Sequence, residues 1–513
     1  MAESRSSLKV SLFSEPPKAP AGIFVLFGAT GDLTARKIAP ALYNLRREGL
    51  LGDDVAVVGV ARRPLSDDAF REEMLSAIRR HSRSQPVDES LWRDFASRWH
   101  YQVVHADRPD EYEALAERLK AVGRCCGKGC GALFYLASTP ETWPAIAAGL
   151  ARVGLNRPLT PRGFCRVIVE KPLGHDLASS QRLNAELLAA FKERQVFRID
   201  HYLGKETVQN ILVLRFANSV FEPLLNRRYV DNVQITTAET VGMEGRRGAY
   251  YETAGALRDM IQSHMLQLLA LVAMGAPRSM DADGVRIAKA RLLKSIRPMS
   301  QEDMIQWTVR GQYLGDGEKP SYRQEAGVAA DSSVETYAAV RLFIDNRRWS
   351  GVPFYLRTGK RMAAKASYVA VEFKRRLPDL FHDTECDLAG PNRLLMQIYP
   401  DEGAFLSANA KLPGARMLLR PVRLGFEYRC AFESASPEAY ERLLLDAFVG
   451  EAVLFIRHDE VEASWRFVDT VRRIWDNAGG PELAFYPCGS WGPQQAELIF
   501  GDPYKRWYNL DPR

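Results

Sequence analysis

Cysteine is scarce in this chain: there are seven in 513 residues, an odd number that excludes a complete disulfide framework and points to a reducing compartment. Cys125, Cys126 and Cys130 lie close together, but their spacing matches no CxxC half-site and no second half follows nearby, so no metal is expected. Long apolar runs are missing as well. None approaches the roughly 18 residues of a membrane-spanning helix, and residues 1–18 are polar and proline-containing, without the apolar stretch of a secretory leader. The expectation is a cytoplasmic protein without membrane contact, with a loose N-terminal tail over residues 1–21. Charge of one sign is not in excess: 69 Lys and Arg face 63 Asp and Glu, a formal +6. That mild bias suits small anionic ligands, and without a basic stripe interleaved with aromatics no nucleic-acid partner is expected. Internal repeats and low-complexity tracts are also lacking.

What the chain has is length and an ordinary globular composition, 46% hydrophobic and 26% charged. A single core stops growing at roughly 250–300 residues, so two large domains follow. The first part alternates short apolar runs with helix-like segments. Ile23–Phe27, Ile38–Leu45 and Val55–Val60 have the rhythm of parallel strands with crossover helices, and Ala132–Ala137 and Val167–Val169 continue it. From about Val230 the pattern becomes alternation: Val233, Ile235, Thr237; Val340, Leu342, Ile344; Val422, Leu424, Phe426, Tyr428. Such alternation predicts half-buried antiparallel strands. Asp345 and Asn346 are predicted as a hairpin turn before a strand resuming near Trp349, and Ala256–Met274 as a helical stretch covering one face. The fold class is therefore α/β plus α+β: an N-terminal Rossmann-like domain over 22–199, then a larger domain over 200–513 built on a mainly antiparallel sheet with covering helices.

The apolar run Ile23–Phe27 enters Gly28-Ala29-Thr30-Gly31-Asp32-Leu33, followed by a helix with Ile38, Leu42 and Leu45 on one stripe. Glycine lets backbone approach a pyrophosphate closely, and the free N–H groups of a following helix favour negative charge. The spacing is GxxGxL rather than GxGxxG, and a plain tight turn explains it nearly as well. The second strand adds to the case. It ends in Ala61-Arg62-Arg63, where an NAD enzyme would carry an acid for the ribose hydroxyls. A guanidinium there suits a 2′-phosphate, so NADP is the expected cofactor.

Phe197-Arg198-Ile199-Asp200-His201-Tyr202-Leu203-Gly204-Lys205-Glu206 gathers acid, imidazole, phenol and ammonium at the end of an apolar run, just before a helix-like stretch. A strand end followed by a helix start can collect such groups around a phosphate.

RIDHYLGKE resembles the signature of glucose-6-phosphate dehydrogenases, as do GATGDL and Glu170-Lys171-Pro172-Leu173-Gly174. The resemblance runs from about residue 22 nearly to the C-terminus, through Glu244–Arg246, Leu257–Gln267 and VPFYLRTGK at Val352–Lys360. It implies oxidation of D-glucose 6-phosphate at C1 to the 1,5-lactone with reduction of NADP, the first oxidative step of the pentose phosphate pathway. It also implies a dyad in which Asp200 holds the imidazole of His264, the base. A neutral imidazole accepts a proton near pH 7, and a carboxylate fixes its tautomer. By itself His264 reads as a core histidine, because it shares an apolar stripe with Met260, Ile261, Leu268 and Leu271.

The resemblance further implies that His201, Tyr202, Lys205, Lys360 and Lys365 meet the sugar phosphate, and that Glu239 and Asp259 meet its hydroxyls. Lys171 is implied between cofactor and substrate, with a cis bond to Pro172, and counts among the catalytic residues. The cofactor would meet Gly28, Ala29, Thr30, Gly31, Asp32, Leu33, Arg62, Tyr135 and Lys171. A homodimer or homotetramer formed through the larger domain is implied too. Ser263, Glu252 and Leu173 depart from the family pattern, and no second nucleotide site is carried over, since Arg357 matches only part of one. Two other readings stand beside this one: a dehydrogenase of unphosphorylated sugars, against which the lysines speak, and a non-catalytic NADP-binding paralogue, which should have a broken dyad.

Overall fold

A computed structural model describes residues 17–124, 129–245, 247–375, 390–415, 418–432, 437–476 and 480–510. Most of the tail expected over 1–21 lies outside these residues, as do Cys125, Cys126 and Arg246 of the segments singled out above. The chain divides into two compact units, one of residues 1–170, 186–199 and 440–452, the other of 171–185, 200–439 and 453–513. A single boundary at 199/200 does not describe this division.

The first unit is built on β1 (Gly22–Phe27), β2 (Val55–Ala61), β3 (Trp99–Val103), β4 (Gly131–Leu136), β5 (Cys165–Val169) and β6 (Val196–Arg198). They form one all-parallel sheet in the order β3-β2-β1-β4-β5-β6. β1 and β4 are buried at every position, which is why their sequences are unbroken apolar runs rather than alternating ones. The order reverses between β1 and β4, and open sheets of this kind receive ligands beyond the strand ends at such a reversal. Residues 440–452 join this unit through polar contacts: Glu441 accepts from Asn44 at 2.7 Å and Arg83 at 2.8 Å, and Arg166 donates to the Ala447 carbonyl at 3.0 Å.

The second unit contains β7 (Val230–Ala238), β8 (Thr308–Tyr313), β9 (Tyr337–Leu342), β10 (Phe354–Gly359), β11 (Ala366–Phe373), β12 (Arg393–Tyr399), β13 (Gly403–Lys411), β14 (Leu419–Glu427) and β15 (Leu483–Tyr486). Their order is β14-β13-β12-β11-β7-β10-β9-β8-β15, antiparallel except for the pairs β7–β10 and β8–β15. The helical stretch expected over 256–274 is present as a π-wound segment, Leu257–Met265, continued by the α-helix Leu266–Ala273. The π-wound segment packs on β7 and β10.

Two expectations change in detail. β9 and β10 pair antiparallel, but β10 begins at Phe354, because Asn346 to Val352 form a longer turn anchored by buried Trp349. β14, the outer strand of the sheet, is not half-buried: Val422 is 39% and Leu424 56% exposed. Among the described residues no helix is long and apolar enough to cross a membrane.

Candidate active site

Gly255 sets the approach of His264. Its φ of +66° and ψ of 169° lie in a region open to glycine, and a Cβ there would stand 2.4 Å from a Glu335 carboxylate oxygen. The same Glu335 side chain accepts from the Leu257 N–H at 2.9 Å, and its backbone carbonyl accepts from Ala256 N at 3.0 Å. The segment that begins there carries Asp259, Ser263 and His264. Asp200 follows β6 directly and opens the turn that ends at the helix Glu206–Phe216.

These two elements bring His264 Nδ1 to 2.5 Å from Asp200 Oδ1, and both side chains are buried to 1% exposure. Lys171 Nζ lies 2.9 Å from His264 Nε2 and also donates to the Asp259 carbonyl at 2.9 Å and to Asp259 Oδ1 at 3.1 Å. An ammonium can only donate, so Nε2 presents a lone pair and the ring proton sits on Nδ1, donated to Asp200. Burial pushes His264 below the usual histidine range, opposed by Asp200 and reinforced by Lys171. Burial alone would raise Asp200, but His264, His201 and Lys171 outweigh it and hold the carboxyl well below its ordinary value. Burial would lower Lys171, yet Asp259 leads the groups that keep its ammonium above the ordinary lysine value. Asp259 is itself brought down to about 2 by Lys171 and Lys360 in spite of its burial. The result is a neutral imidazole, tautomer fixed, between two carboxylates and an ammonium.

Around the base stand the other residues of the RIDHYLGKE segment. The Tyr202 ring stacks on His264 at 4.3 Å and His201 meets it edge-on at 4.5 Å. Lys205 Nζ lies 4.0 Å from the centre of the Tyr202 ring. Burial lowers the Lys205 pKa and Lys365 lowers it further, against Glu402. Two ammonium groups that repel each other in one place favour an anion between them. Glu239 and Lys360, which follow β7 and β10, form an ion pair, as expected for residues at the same end of two paired parallel strands. Asp200, His201 and His264 also have the composition of a metal cluster, but His264 commits both ring nitrogens to Asp200 and Lys171.

The first unit presents the glycine turn. Gly28 N and Ala29 N donate to Val60 O at 2.9 and 3.2 Å, so the turn lies against the end of β2, two residues before Arg62. Gly28 has φ +83°, and a Cβ there would meet Ala137 O at 2.6 Å. Arg63 is paired with Glu73 at 2.5 Å, whereas exposed Arg62 has no ion-pair partner among the described residues. Asp32 pairs with Arg36 at 2.7 Å. This turn and guanidinium fit the pyrophosphate and 2′-phosphate of NADP. Tyr135 lies in the strand next to β1. It is fully buried within β4 and donates its hydroxyl to Glu170.

Glu335 and Glu402 escaped sequence reasoning, since neither stands in a motif; the one signal for Glu335 is an acid two residues before a β strand. The departures are accommodated. Ser263 Oγ donates to Asp259 O at 3.0 Å, Glu252 accepts from Tyr322 and Ser332, and buried Leu173 receives the Trp465 indole N–H on its carbonyl. The Lys171–Pro172 bond is cis. Arg357 is buried and donates to Thr236, Tyr368 and the Tyr508 carbonyl.

Two family models match the chain: glucose-6-phosphate dehydrogenase, NAD binding domain, over residues 25–210, and glucose-6-phosphate dehydrogenase, C-terminal domain, over 212–508. The glucose-6-phosphate 1-dehydrogenase of Chlamydia pneumoniae is 42% identical over 506 residues, covering 97% of this chain and 98% of the relative. The glucose-6-phosphate 1-dehydrogenase 2 of Mycobacterium bovis is 44% identical over 493 residues, covering 95% and 94%. Among solved structures, a glucose-6-phosphate dehydrogenase in complex with glucose 6-phosphate superposes with a TM-score of 0.88 at 33% identity, covering 96% of this chain and all of that one.

Proposed function

Because the chain belongs to the glucose-6-phosphate dehydrogenase family, we propose that it oxidises C1 of β-D-glucose 6-phosphate to 6-phospho-D-glucono-1,5-lactone, with NADP reduced to NADPH. The observation that carries this reading is the unprotonated Nε2 of His264, which accepts from Lys171 at 2.9 Å, while Nδ1 is backed by Asp200 at 2.5 Å and the cations an anionic sugar requires stand around the ring. NADP, when bound, supplies the hydride acceptor. His264 takes the C1 hydroxyl proton on Nε2 while Asp200 stabilises the imidazolium that results. His201, Tyr202, Lys205, Lys360 and Lys365 hold the phosphate, Glu239 and Asp259 the sugar hydroxyls, and Lys171 orients the hydroxyl to be deprotonated. Gly28 to Leu33 and Arg62 hold the cofactor; Tyr135, whose hydroxyl is donated to Glu170, lies in the neighbouring strand β4.

The test pairs NADP with glucose 6-phosphate and with glucose, following NADPH absorbance. Turnover is expected with the phosphorylated sugar alone, and His264→Asn should fold normally while losing roughly 10²–10⁴-fold in kcat. Equal activity on glucose, or near-normal kcat in the variant, refutes the reading. Self-association as a homodimer or homotetramer through the second unit is part of the proposal. It is supported by the exposed edge strand β14 and by a hollow beside it lined with Val213, Phe221, Leu394 and Leu424. The compartment proposed is the cytoplasm.

A further inference from the structure

At the start of β7 and β10 and the end of β11 lies a cleft of about 720 Å³ lined by Arg227, Arg228, Arg347, Arg348 and Lys374, together with Asn226, Ser350 and Gly351. Two turns of similar composition build it, Asn226-Arg227-Arg228-Tyr229 and Asn346-Arg347-Arg348-Trp349. In each, the asparagine Oδ1 accepts backbone N–H groups further along its turn: Arg228 N at 2.8 Å, and Arg348 N and Trp349 N at 3.0 and 2.9 Å. The turns are tied together by Arg227 N donating to Arg348 O at 2.7 Å, and to the end of β11 by Lys374 N on Tyr229 O at 2.7 Å. Lys374 Nζ adds a bond to Arg227 O at 2.8 Å. The frame is therefore rigid, and the asparagines and backbone atoms make most of it.

Of the guanidinium groups, Arg348 is part of that frame, pairing with Glu222 at 2.7 Å and donating to the Leu225 and Glu222 carbonyls, and Arg228 lies 5.7 Å from the centre of the Tyr229 ring. Asp231, the acid whose field reaches Lys374, is paired with Lys505 at 2.7 Å. No acidic side chain lines the cleft among the described residues. Gathering Arg227, Arg347 and Lys374 in one small cleft costs electrostatic self-repulsion that folding alone does not require. Planar guanidinium forks match phosphate oxygens in pairs, and the cleft has the size of a small-molecule site.

We infer that this cleft binds a small molecule carrying two or three linked phosphates. It is separate from the substrate site, because β7, β10 and β11 each run from one to the other: Glu239, Lys360 and Lys365 stand at the opposite strand ends, roughly 20–30 Å away.

Titration calorimetry of inorganic tripolyphosphate into the full chain tests this, with saturating glucose 6-phosphate and NADPH present as a non-reacting pair that occupies the other anion sites. One saturable, salt-sensitive site per chain is expected, weakened at least tenfold in the Arg227→Ala/Arg347→Ala double variant and in Lys374→Ala, with turnover unchanged. Absence of saturable binding, displacement by the substrate pair, or equal affinity in the variants would overturn the inference. Preference for duplex DNA over tripolyphosphate would overturn it too, by assigning the cleft to a macromolecule.

Discussion

His264 is buried with its proton on Nδ1, and every consequence for activity follows from keeping Nε2 unprotonated. Burial, the largest influence, lowers its pKa below the ordinary 6.5. The base works neutral, so activity is present above that pKa and is lost as pH falls through it. In a pH profile of kcat/KM the acid limb should therefore lie below pH 6.5, with a plateau above. Asp200→Asn should remove the plateau advantage by roughly 10²–10⁴-fold in kcat, because an amide neither fixes the tautomer nor stabilises the imidazolium. An acid limb above pH 6.5 would mean that Asp200 outweighs burial. At this scale the sequence was informative where polar residues crowd together: Asp200, His201, Tyr202 and Lys205 read as a site from their density alone. His264 did not. Its neighbours in sequence are apolar because they fill the core, and only resemblance to a family lifted it out of that stripe. Tyr135 shows the converse, a residue marked by resemblance whose side chain the fold buries against Glu170.

At the scale of elements, the step from Gly255 into the π-wound Leu257–Met265 determines where the base points. Gly255→Ala would put a methyl 2.4 Å from Glu335 Oε1 in a backbone region that disfavours side chains. The expected cost is about 1–3 kcal/mol in urea unfolding, with kcat lowered more than KM, since the segment displaced carries His264 and Asp259. A kcat unchanged in a destabilised variant would separate the kink from base positioning. Strand existence was legible here because pleating imposes a period of two or, in parallel strands covered on both faces, a continuous run. Exposure was not legible. Val422 and Leu424 alternate like core residues yet face outward on β14, because period two reports the pleat and says nothing of whether another layer covers it.

For the molecule as a whole, the order of residues along the chain is a poor guide to which unit they stabilise. Residues 440–452 belong with the parallel sheet because Glu441 takes bonds from Asn44 and Arg83, and because the carbonyls of Ala447 and Phe448 take the Arg166 guanidinium. Such long-range polar contacts leave no periodicity for a sequence to display, so the sequence pattern marks only the single boundary at 199/200. The fragment of residues 1–199 should consequently be looser than the same residues in the full chain, with Asn44 and Arg166 left short of partners. Hydrogen bonds to charged groups contribute about 1.5–3 kcal/mol each, so a loss of about 3 kcal/mol is expected. Amide exchange in residues 39–47 and 165–169 should then be faster by on the order of a hundredfold in the fragment, and should slow again when a peptide spanning 439–452 is added. Equal protection in the fragment and the full chain would make residue 199 a true boundary and reduce the helix over 439–449 to a passenger on the sheet.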